Sequence, residues 1–451
     1  MTDSPVVIIK KRASAINEVK KDVQFLPDTA GLSGQILDYY QRAWQVYQGL
    51  KLPTLADEAW RRTDIRNLQL DSLQISNPNQ QMPVPSDLLE PLTDSKHGGQ
   101  IVISQGTAQI SLEKSLQDQG VVFTDLQTAY RDYPKLVEKI LGKLINLEED
   151  KFGSLAASMA RTGVFLYVPK HVKVQTPLHS LFWASGTNAA FFSHYLVYLD
   201  EGAEVTYVHE SSSPSQGQKQ SMHSGLMEIF VSQEAKLTFV ELQSWGDNIW
   251  NFTHERINVE RDGKVDWIFG ALGSHLTKNF SDLNLVGEGS TGKMSGFYFT
   301  QGSQHLDHDT QQNHLAPHTT SDLLFKGALV GESRSIWQGM IYVAPNASKT
   351  DGYQANRNLV LDRRARADSI PGLEILTDDV RCTHGATVGK IDQEQIYYLE
   401  SRGLPRTDAE RLIVEGFFDP IMQRIPFEGV KNRFQRAIIE KMQDFHSEKA
   451  G

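Results

Sequence analysis

The sequence is poor in cysteine and in long apolar runs, and both shortages restrict the class of protein. Its single cysteine is Cys382, so no disulfide can form within the 451 residues, and such usage is typical of a reducing compartment. No run of about 18 apolar residues exists, which excludes a conventional membrane-spanning helix. The polar residues at the start do not resemble a secretion signal. We therefore expect a cytoplasmic protein without a membrane partner.

The motifs of several common enzyme classes are also missing. The nearest approach to a phosphate-binding loop is the run 287–293, which has the wrong spacing and no hydroxyl residue after its lysine. The absence of any Cys-x-x-Cys pair or Gly-x-Ser-x-Gly elbow excludes a self-contained cysteine-ligated cluster site and a serine hydrolase of that type. The net charge of −10 argues against nucleic acid as the main partner. We predict that the chain is not an enzyme.

What the sequence does contain is a long strand-rich stretch, from about residue 163 to residue 389. Apolar residues alternate with polar ones, and β-branched and aromatic types dominate, which is typical of strands with one buried face. The clearest segments are 163–168, 191–199, 204–208, 236–240, 264–268, 335–343 and 358–361. The composition, 39% hydrophobic and 22% charged, is that of an ordinary globular protein, and the length predicts two or three domains.

Within this stretch a polar turn followed by a short strand recurs. Residues 200–208 resemble residues 232–240, which begin 32 positions later, and 261–268 form a looser third copy. Such a repeat predicts a parallel β-helix or another solenoid. A sandwich or a barrel would also give many short strands. The solenoid is favoured because Asn-Gly and Asp-Gly hairpin signals are sparse, the main ones being Asp262–Gly263 and Asp351–Gly352.

The flanks of the strand-rich stretch are more helical. Residues 1–150 are predicted to be a mixed α/β region, with a helix capped by Ser33, a hairpin of 100–104 with 109–112, and an amphipathic helix over 135–147. The solenoid is expected over 151–390.

Residues 391–451 are predicted to be a helical domain. Capping boxes are expected at 392–395 and 407–410, and a last helix from about Gly429. So short a segment cannot bury its apolar face alone, and we expect the β-domain or a partner to cover it.

Two groups of residues invite a chemical interpretation. Four histidines and two aspartates within 305–318 have side chains suited to zinc or iron, but their spacing matches no standard site, and turns facing water would display the same residues. Cys382 and His384 are two residues apart, so they share one face of a strand, where an imidazolium would favour the thiolate. A buried structural cysteine beside a hydrogen-bonded histidine is the alternative.

Residues 371–404 resemble the SufB/SufD family of iron–sulfur cluster assembly proteins, and within it the SufD branch. The stretches that support this resemblance are 344–352, 356–361, 150–155 and 163–169. The resemblance implies a right-handed parallel β-helix, flanked by N-terminal α/β and C-terminal helical regions.

The resemblance also implies partners. It predicts a SufD-type subunit of a SufBCD complex, pairing with the SufB paralogue through the β-helix and with the SufC ATPase through the C-terminal helices, or a homodimer in isolation. No cofactor would be stably bound by the chain alone, and a transient iron–sulfur cluster would form in the complex. His384 is then a candidate iron ligand at the SufB interface, with Cys382 a weaker one. The 305–318 cluster is not among the residues that the family implicates.

Two other functions compete with this interpretation. A structural solenoid adaptor without cluster chemistry would have the same fold. A polysaccharide lyase would use acidic residues along one sheet, for which Asp307, Asp309 and Asp322 are available, but it would be a secreted protein.

Overall fold

The computed structural model describes residues 22–75, 82–90, 96–104, 106–215, 219–425 and 427–450. Its main feature is a parallel β-solenoid of about eight turns, in which the chain passes alternately through two ten-stranded sheets. Successive turns pair in register, so that Glu204, Lys236 and Lys264 are neighbours on three adjacent strands. The predicted fold class, mainly β with an N-terminal α/β region and C-terminal helices, is confirmed. The division into domains at residues 150 and 390 remains a prediction.

The strands are named in chain order, and the two sheets by the parity of most of their strands. The odd sheet contains, in spatial order, β19 (Arg366–Ile375), β17 (Arg334–Val343), β15 (His305–His314), β13 (Leu276–Leu285), β11 (Ile249–Val259), β9 (Ser221–Val231), β7 (Ala189–Leu199), β5 (Thr162–Val168) and β4 (Val122–Asp125), with β1 (Gln74–Ile75) paired beside β7. The even sheet contains β20 (Val380–Lys390), β18 (Thr350–Val360), β16 (Thr320–Leu329), β14 (Thr291–Thr300), β12 (Lys264–Ala271), β10 (Lys236–Ser244), β8 (Glu204–Ser212), β6 (Leu178–Trp183), β2 (Gly99–Ser104) and β3 (Thr107–Leu112). The hairpin of β2 with β3, predicted from the sequence, is present.

The repeated turns form one corner of the solenoid. Each places one residue at positive φ, which is 64° for Gly202, 60° for Glu234 and 55° for Asp262. The amides of Gly202 and Glu234 each donate to a carbonyl of the following turn, those of Gln233 and Arg261, both at 2.9 Å. The left-handed conformation is costly for a residue with a Cβ, and these hydrogen bonds offset the cost. The repeat in the sequence therefore marks a stack of identical corners.

Between the sheets lies a continuous apolar core with large side chains such as Tyr207, Phe239, Trp267 and Trp337, all of them almost completely buried. These side chains alternate along each strand with residues that face outward, as the period-two pattern requires. Burying aromatic side chains of this size is the main source of stability in such a core.

Helices cover the outer faces of the two sheets. The helices are α1 (Gly34–Gly49), α2 (Lys114–Asp118), α3 (Leu126–Asp132), α4 (Pro134–Ile140), α5 (Lys151–Met159), α6 (Gln393–Ser401), α7 (Arg406–Met422) and α8 (Glu428–Ala450). The N-terminal helices α1, α3, α4 and α5 pack on the odd sheet, whereas α7 and α8 pack on the even sheet. None of the described helices is both long enough and apolar enough to cross a bilayer.

The helix predicted over 135–147 is shorter in the structure and ends at Ile140. Gly142 has a φ of 66°, and the amides of Gly142 and Leu144 donate to the Glu228 carboxylate, at 2.7 and 2.6 Å, instead of continuing the helix. A glutamate 86 residues away in the sequence therefore sets the end of this helix, so the local pattern could not predict it.

Of the two predicted capping boxes, the first supplies a cap and the second does not. The Asp392 carboxylate accepts from the Glu394 amide at 2.9 Å and caps α6. The helix α7 begins at Arg406, after Pro405, so Thr407 lies inside the first turn and caps nothing. Glu410 instead accepts from the Arg406 guanidinium at 3.0 Å. The prediction of a second capping box is wrong because the N-cap position is Pro405, two residues before Thr407.

Candidate functional site

The C-terminal end of the solenoid is open. Within the described part of the chain, β19 and β20 are the last strands of their sheets, and no further turn covers them. Interior side chains of this last turn are therefore partly exposed, with exposed fractions of 37% for Leu373 and 51% for Val388. We name this opening, lined by Leu373, Ile375, Cys382, His384 and Val388, the mouth of the solenoid.

Both candidate site residues lie in the mouth. Cys382 and His384 are two residues apart on β20, so their side chains share one face. The in-register neighbour of His384 on β18 is Gln354. The Gln354 amide points into the interior, where its nitrogen donates to the carbonyl oxygens of Gly339 at 3.3 Å and Gly372 at 2.9 Å on the odd sheet. His384 therefore lies on the interior face of β20, at the exposed end.

The two side chains differ in accessibility. His384 is exposed, and its ring is hydrogen-bonded to no described residue. Cys382 is half-buried and packs with Ile341, Val343 and Ala347. Burial raises the pKa of the Cys382 thiol above its usual value, so the protonated thiol is favoured at neutral pH. The environment of Cys382 thus does not favour a thiolate, and the imidazole of His384 is the better placed metal ligand.

One exposed imidazole cannot hold an iron atom by itself. Among the described residues, no group of three or more His, Cys, Asp or Glu side chains is arranged to bind a metal. The described residues of the mouth therefore supply fewer than three such side chains around His384.

The 305–318 cluster is divided between the two faces of β15. His308 and His314 point into the interior, where His308 packs against aromatic rings and His314 is hydrogen-bonded to Thr319 and Ser321 at 2.7 and 2.8 Å. Burial lowers the pKa of each of these two histidines to about 4, so both are neutral at pH 7. Strand alternation separates the interior histidines from His305 and the two aspartates, which face outward.

On the outer face, a lysine lies between the two carboxylates. The Lys278 ammonium of β13 is 3.1 Å from Asp307 and 3.0 Å from Asp309, and Lys278 is fully buried. A protein cation thus already binds the carboxylates that a metal would use. Asp322 is likewise engaged, by Arg424 at 3.1 Å. The three aspartates considered for a lyase are therefore all ion-paired.

The apolar residues of the mouth were not identified from the sequence. Leu373 and Ile375 alternate with polar neighbours just as in any other turn, so the pattern alone does not distinguish the last turn from the rest. The available signal was positional, because these residues belong to the final strands before the pattern becomes helical at about residue 391.

The C-terminal helices are covered by the protein itself. Phe434, Ile438 and Met442 of α8 pack against residues of the even sheet such as Phe297 and Leu324, so the β-domain buries the apolar face. An unburied apolar face on these helices is therefore not an argument for a partner.

Among the described side chains of the C-terminal helices, three large hydrophobic ones are exposed: Tyr397 by 74%, Tyr398 by 56% and Leu412 by 41%. The Arg402 guanidinium lies 5.2 Å from the centroid of the Tyr398 ring. We name Tyr397, Tyr398 and Leu412 the tyrosine patch.

Comparison with known proteins gives consistent matches over most of the chain. Residues 182–417 match the family model described as "SUF system FeS cluster assembly, SufBD core domain", and residues 30–179 match "SufBD protein N-terminal region". The iron–sulfur cluster assembly protein SufD of Bacillus subtilis strain 168 is 33% identical over 340 residues, which cover 75% of this chain and 78% of the relative. SufBD family proteins of Staphylococcus epidermidis ATCC 12228 and Staphylococcus aureus USA300 are each 31% identical over 318 residues, covering 70% of this chain and 68% of the relative.

Proposed function

The chain belongs to the SufBD family of iron–sulfur cluster assembly proteins, and on this basis we propose that it is the non-catalytic, SufD-type subunit of a SufBCD complex. The proposed location is the cytoplasm, in keeping with the single cysteine. In this proposal the chain pairs with SufB at the mouth, the SufC ATPase binds the C-terminal helices, and His384 contributes to a transient cluster. The alternative is an adaptor that assembles the complex without cluster chemistry.

The observation that carries the pairing proposal is the open mouth. Two parallel sheets end there with unpaired edges, and interior apolar side chains such as Val388 are half exposed. An exposed strand edge is a template for another strand, and a second solenoid of the same width would cover both edges and the interior together. Because SufB is a paralogue of this branch, a similar solenoid is the expected partner. A second copy of this chain would fit the mouth when SufB is absent.

A charge in the mouth tests the pairing. Val388→Asp places a carboxylate where the partner would exclude water, so we expect loss of co-purification with co-expressed SufB while the isolated chain stays folded. The matched control is Ile110→Asp, because Ile110 is exposed by 42% on the edge strand β3 at the other end. Retained pairing in the Val388 variant, or equal loss in both variants, would contradict the proposed interface.

The tyrosine patch is the proposed contact for the SufC ATPase. Exposed tyrosines are enriched at protein interfaces because they bury a large area with little loss of conformational entropy. Truncation before α6 would not test this cleanly, since α7 and α8 also cover the even sheet. We expect the double variant Tyr397→Ala and Tyr398→Ala to lose SufC and to keep SufB. Tyr133→Ala, at a tyrosine exposed by 37% elsewhere, is the control and should keep both.

A further inference from the structure

The helices on the two sheets differ in whether the buried cations beneath them are paired with carboxylates. Between the odd sheet and the N-terminal helices, two buried cations have carboxylate partners: the Lys151 ammonium of α5 lies 3.0 Å from Asp22, and the Arg256 guanidinium of β11 contacts both Glu149 and Asp282. Such pairing repays much of the cost of removing a charge from water. The cover on the even sheet, which consists of α7 and α8, lacks this pairing at two positions.

The first position is Lys441 on α8, which is exposed by 8%. Its ammonium is 3.5 Å from the amide oxygen of Gln304 and 6.0 Å from the centroid of the Phe299 ring. Among the described side chains, no carboxylate lies within ion-pair distance of it. The nearest influences of opposite charge are Glu440 and Asp444, both on its own helix. From the described solenoid, the groups that contact this ammonium are thus the amide of Gln304 and the ring of Phe299.

The second position is Lys326 on β16, which is exposed by 4%. Its ammonium donates to the backbone carbonyl of Phe417 on α7 and lies 4.6 Å from the centroid of the Phe417 ring. The charges that act on it are Arg357 of β18, which repels it, and Asp419 of α7, which attracts it. One cation from the sheet and one from the helices are therefore buried in the same interface without a carboxylate in contact.

We propose that α7 and α8 form a releasable arm, in which Lys326 and Lys441 keep the docking on the even sheet weak enough for undocking in the folded protein. Apolar packing and the ion pairs Arg433–Glu210 and Arg424–Asp322 hold the arm in place. Undocking returns both ammonium groups to water, which recovers their hydration. Because two residues separate β20 from α6, and α6 contacts α7, movement of the arm reaches the strand that carries His384.

The arm should dock more tightly as the pH rises. Burial lowers the pKa of Lys441 and of Lys326 to about 8, whereas a lysine in water titrates near 10.5. Between these values the undocked arm binds more protons than the docked arm, so docking strengthens with increasing pH. Below pH 8 both lysines are charged in either state, and the weakening is complete.

Hydrogen exchange of the full-length chain tests this inference. We expect Lys441→Met to raise the protection factors of α8 amides at pH 7 by about tenfold or more, without changing those of β9 and β11. The control is Lys431→Met on the same helix, where the lysine pairs with Glu428 at 3.6 Å, and it should not raise protection. In the wild-type chain, protection of α8, corrected for intrinsic exchange rates, should rise from pH 7 to pH 9 by about tenfold for each of the two lysines, or about a hundredfold for both.

A second variant, Lys326→Met, keeps the test decisive if methionine packs poorly at position 441. A rise in α8 protection in either variant supports the releasable arm. Unchanged or lowered protection in both variants would overturn it, because the lysines would then have no loosening effect. Protection of α8 in the wild-type chain that does not change between pH 7 and pH 9 would also overturn the releasable arm. This inference does not depend on the proposed partners.

Discussion

The two ends of the solenoid differ in how completely their interior is covered. At the N-terminal end, the antiparallel strands β3 and β4 complete the sheets, and Leu116 of α2 with Phe123 of β4 covers the core. At the C-terminal end no described residue covers the last turn, and Val388 and His384 are exposed. A solenoid needs a cap at each end to be soluble and to avoid edge pairing. The chain itself therefore covers the core at the N-terminal end, whereas the core at the C-terminal end is left accessible to a partner.

Under the N-terminal helices, three strands in from the covered end, a buried charge is tied to a loop. Glu228 of β9, which is fully buried, accepts from the Gly142 and Leu144 amides and from the His194 ring at 3.0 Å. No described residue of the mouth makes a comparable network. Substitutions under the N-terminal helices should therefore affect folding, whereas substitutions in the mouth should affect binding.

The largest loss of stability is expected from Glu228→Ala. The substitution leaves a buried imidazole and two loop amides without their acceptor, so the free energy of unfolding should fall by about 3–5 kcal/mol. Urea denaturation of the isolated chain measures it. As a control, Glu201→Ala removes a surface pair with Lys170 and should cost about 1 kcal/mol or less. Similar losses in the two variants would show that the network does not stabilise the packing of the N-terminal helices on the odd sheet.

A slightly smaller and pH-dependent loss is expected from His254→Gln. His254 donates to Asp150 at 3.1 Å, and Asp150 also caps α5 through the Gly153 amide at 2.8 Å. Burial disfavours the charged form of both groups, but the attraction between the two charges is stronger. The pKa of His254 is therefore raised and the pKa of Asp150 is lowered. The imidazolium stabilises the fold below about pH 6.5 and loses this effect as the pH rises through its raised pKa.

The carboxylate of Asp150 acts in the opposite sense. It stabilises the fold above about pH 4 and loses this effect as the pH falls through its lowered pKa. The pair is therefore complete between about pH 4 and 6.5. We expect His254→Gln to cost about 3 kcal/mol at pH 6 and clearly less at pH 9, by urea denaturation at both values. A cost that does not change with pH would mean that the histidine is neutral in the fold.

The smallest effect is expected in the mouth itself, from Cys382→Ala. The side chain is half-buried beside Ile341, so the isolated chain should lose only about 1 kcal/mol in unfolding free energy. Cluster formation in the complex should be nearly normal. A strong loss of cluster with an intact complex would instead assign the thiol a role as a ligand.

The sequence could predict those parts of the structure that depend on local pattern. Alternation and the repeated turn at Gly202 and Glu234 indicated the solenoid, because both follow from the geometry of a single strand and a single corner. Parity also placed Cys382 and His384 on one face. Features set by distant residues could not be predicted, such as the end of α4 at Glu228 or the location of Lys278 between two carboxylates. The open mouth could not be predicted either, because the last turn has the same alternation of apolar and polar residues as the other turns.

The most direct test of the central claim, that the uncovered end holds the cluster site, is the iron and acid-labile sulfide content of co-purified complexes. In the complex with His384→Ala, we predict an unchanged subunit ratio and a fall in iron and sulfide of about tenfold or more, as the loss of a group around a metal produces. His318→Asn is the control, at an exposed histidine in a turn far along the chain from the mouth, where φ is 58° and asparagine is tolerated. Normal iron and sulfide in the intact His384→Ala complex would contradict the claim and leave the chain as an adaptor.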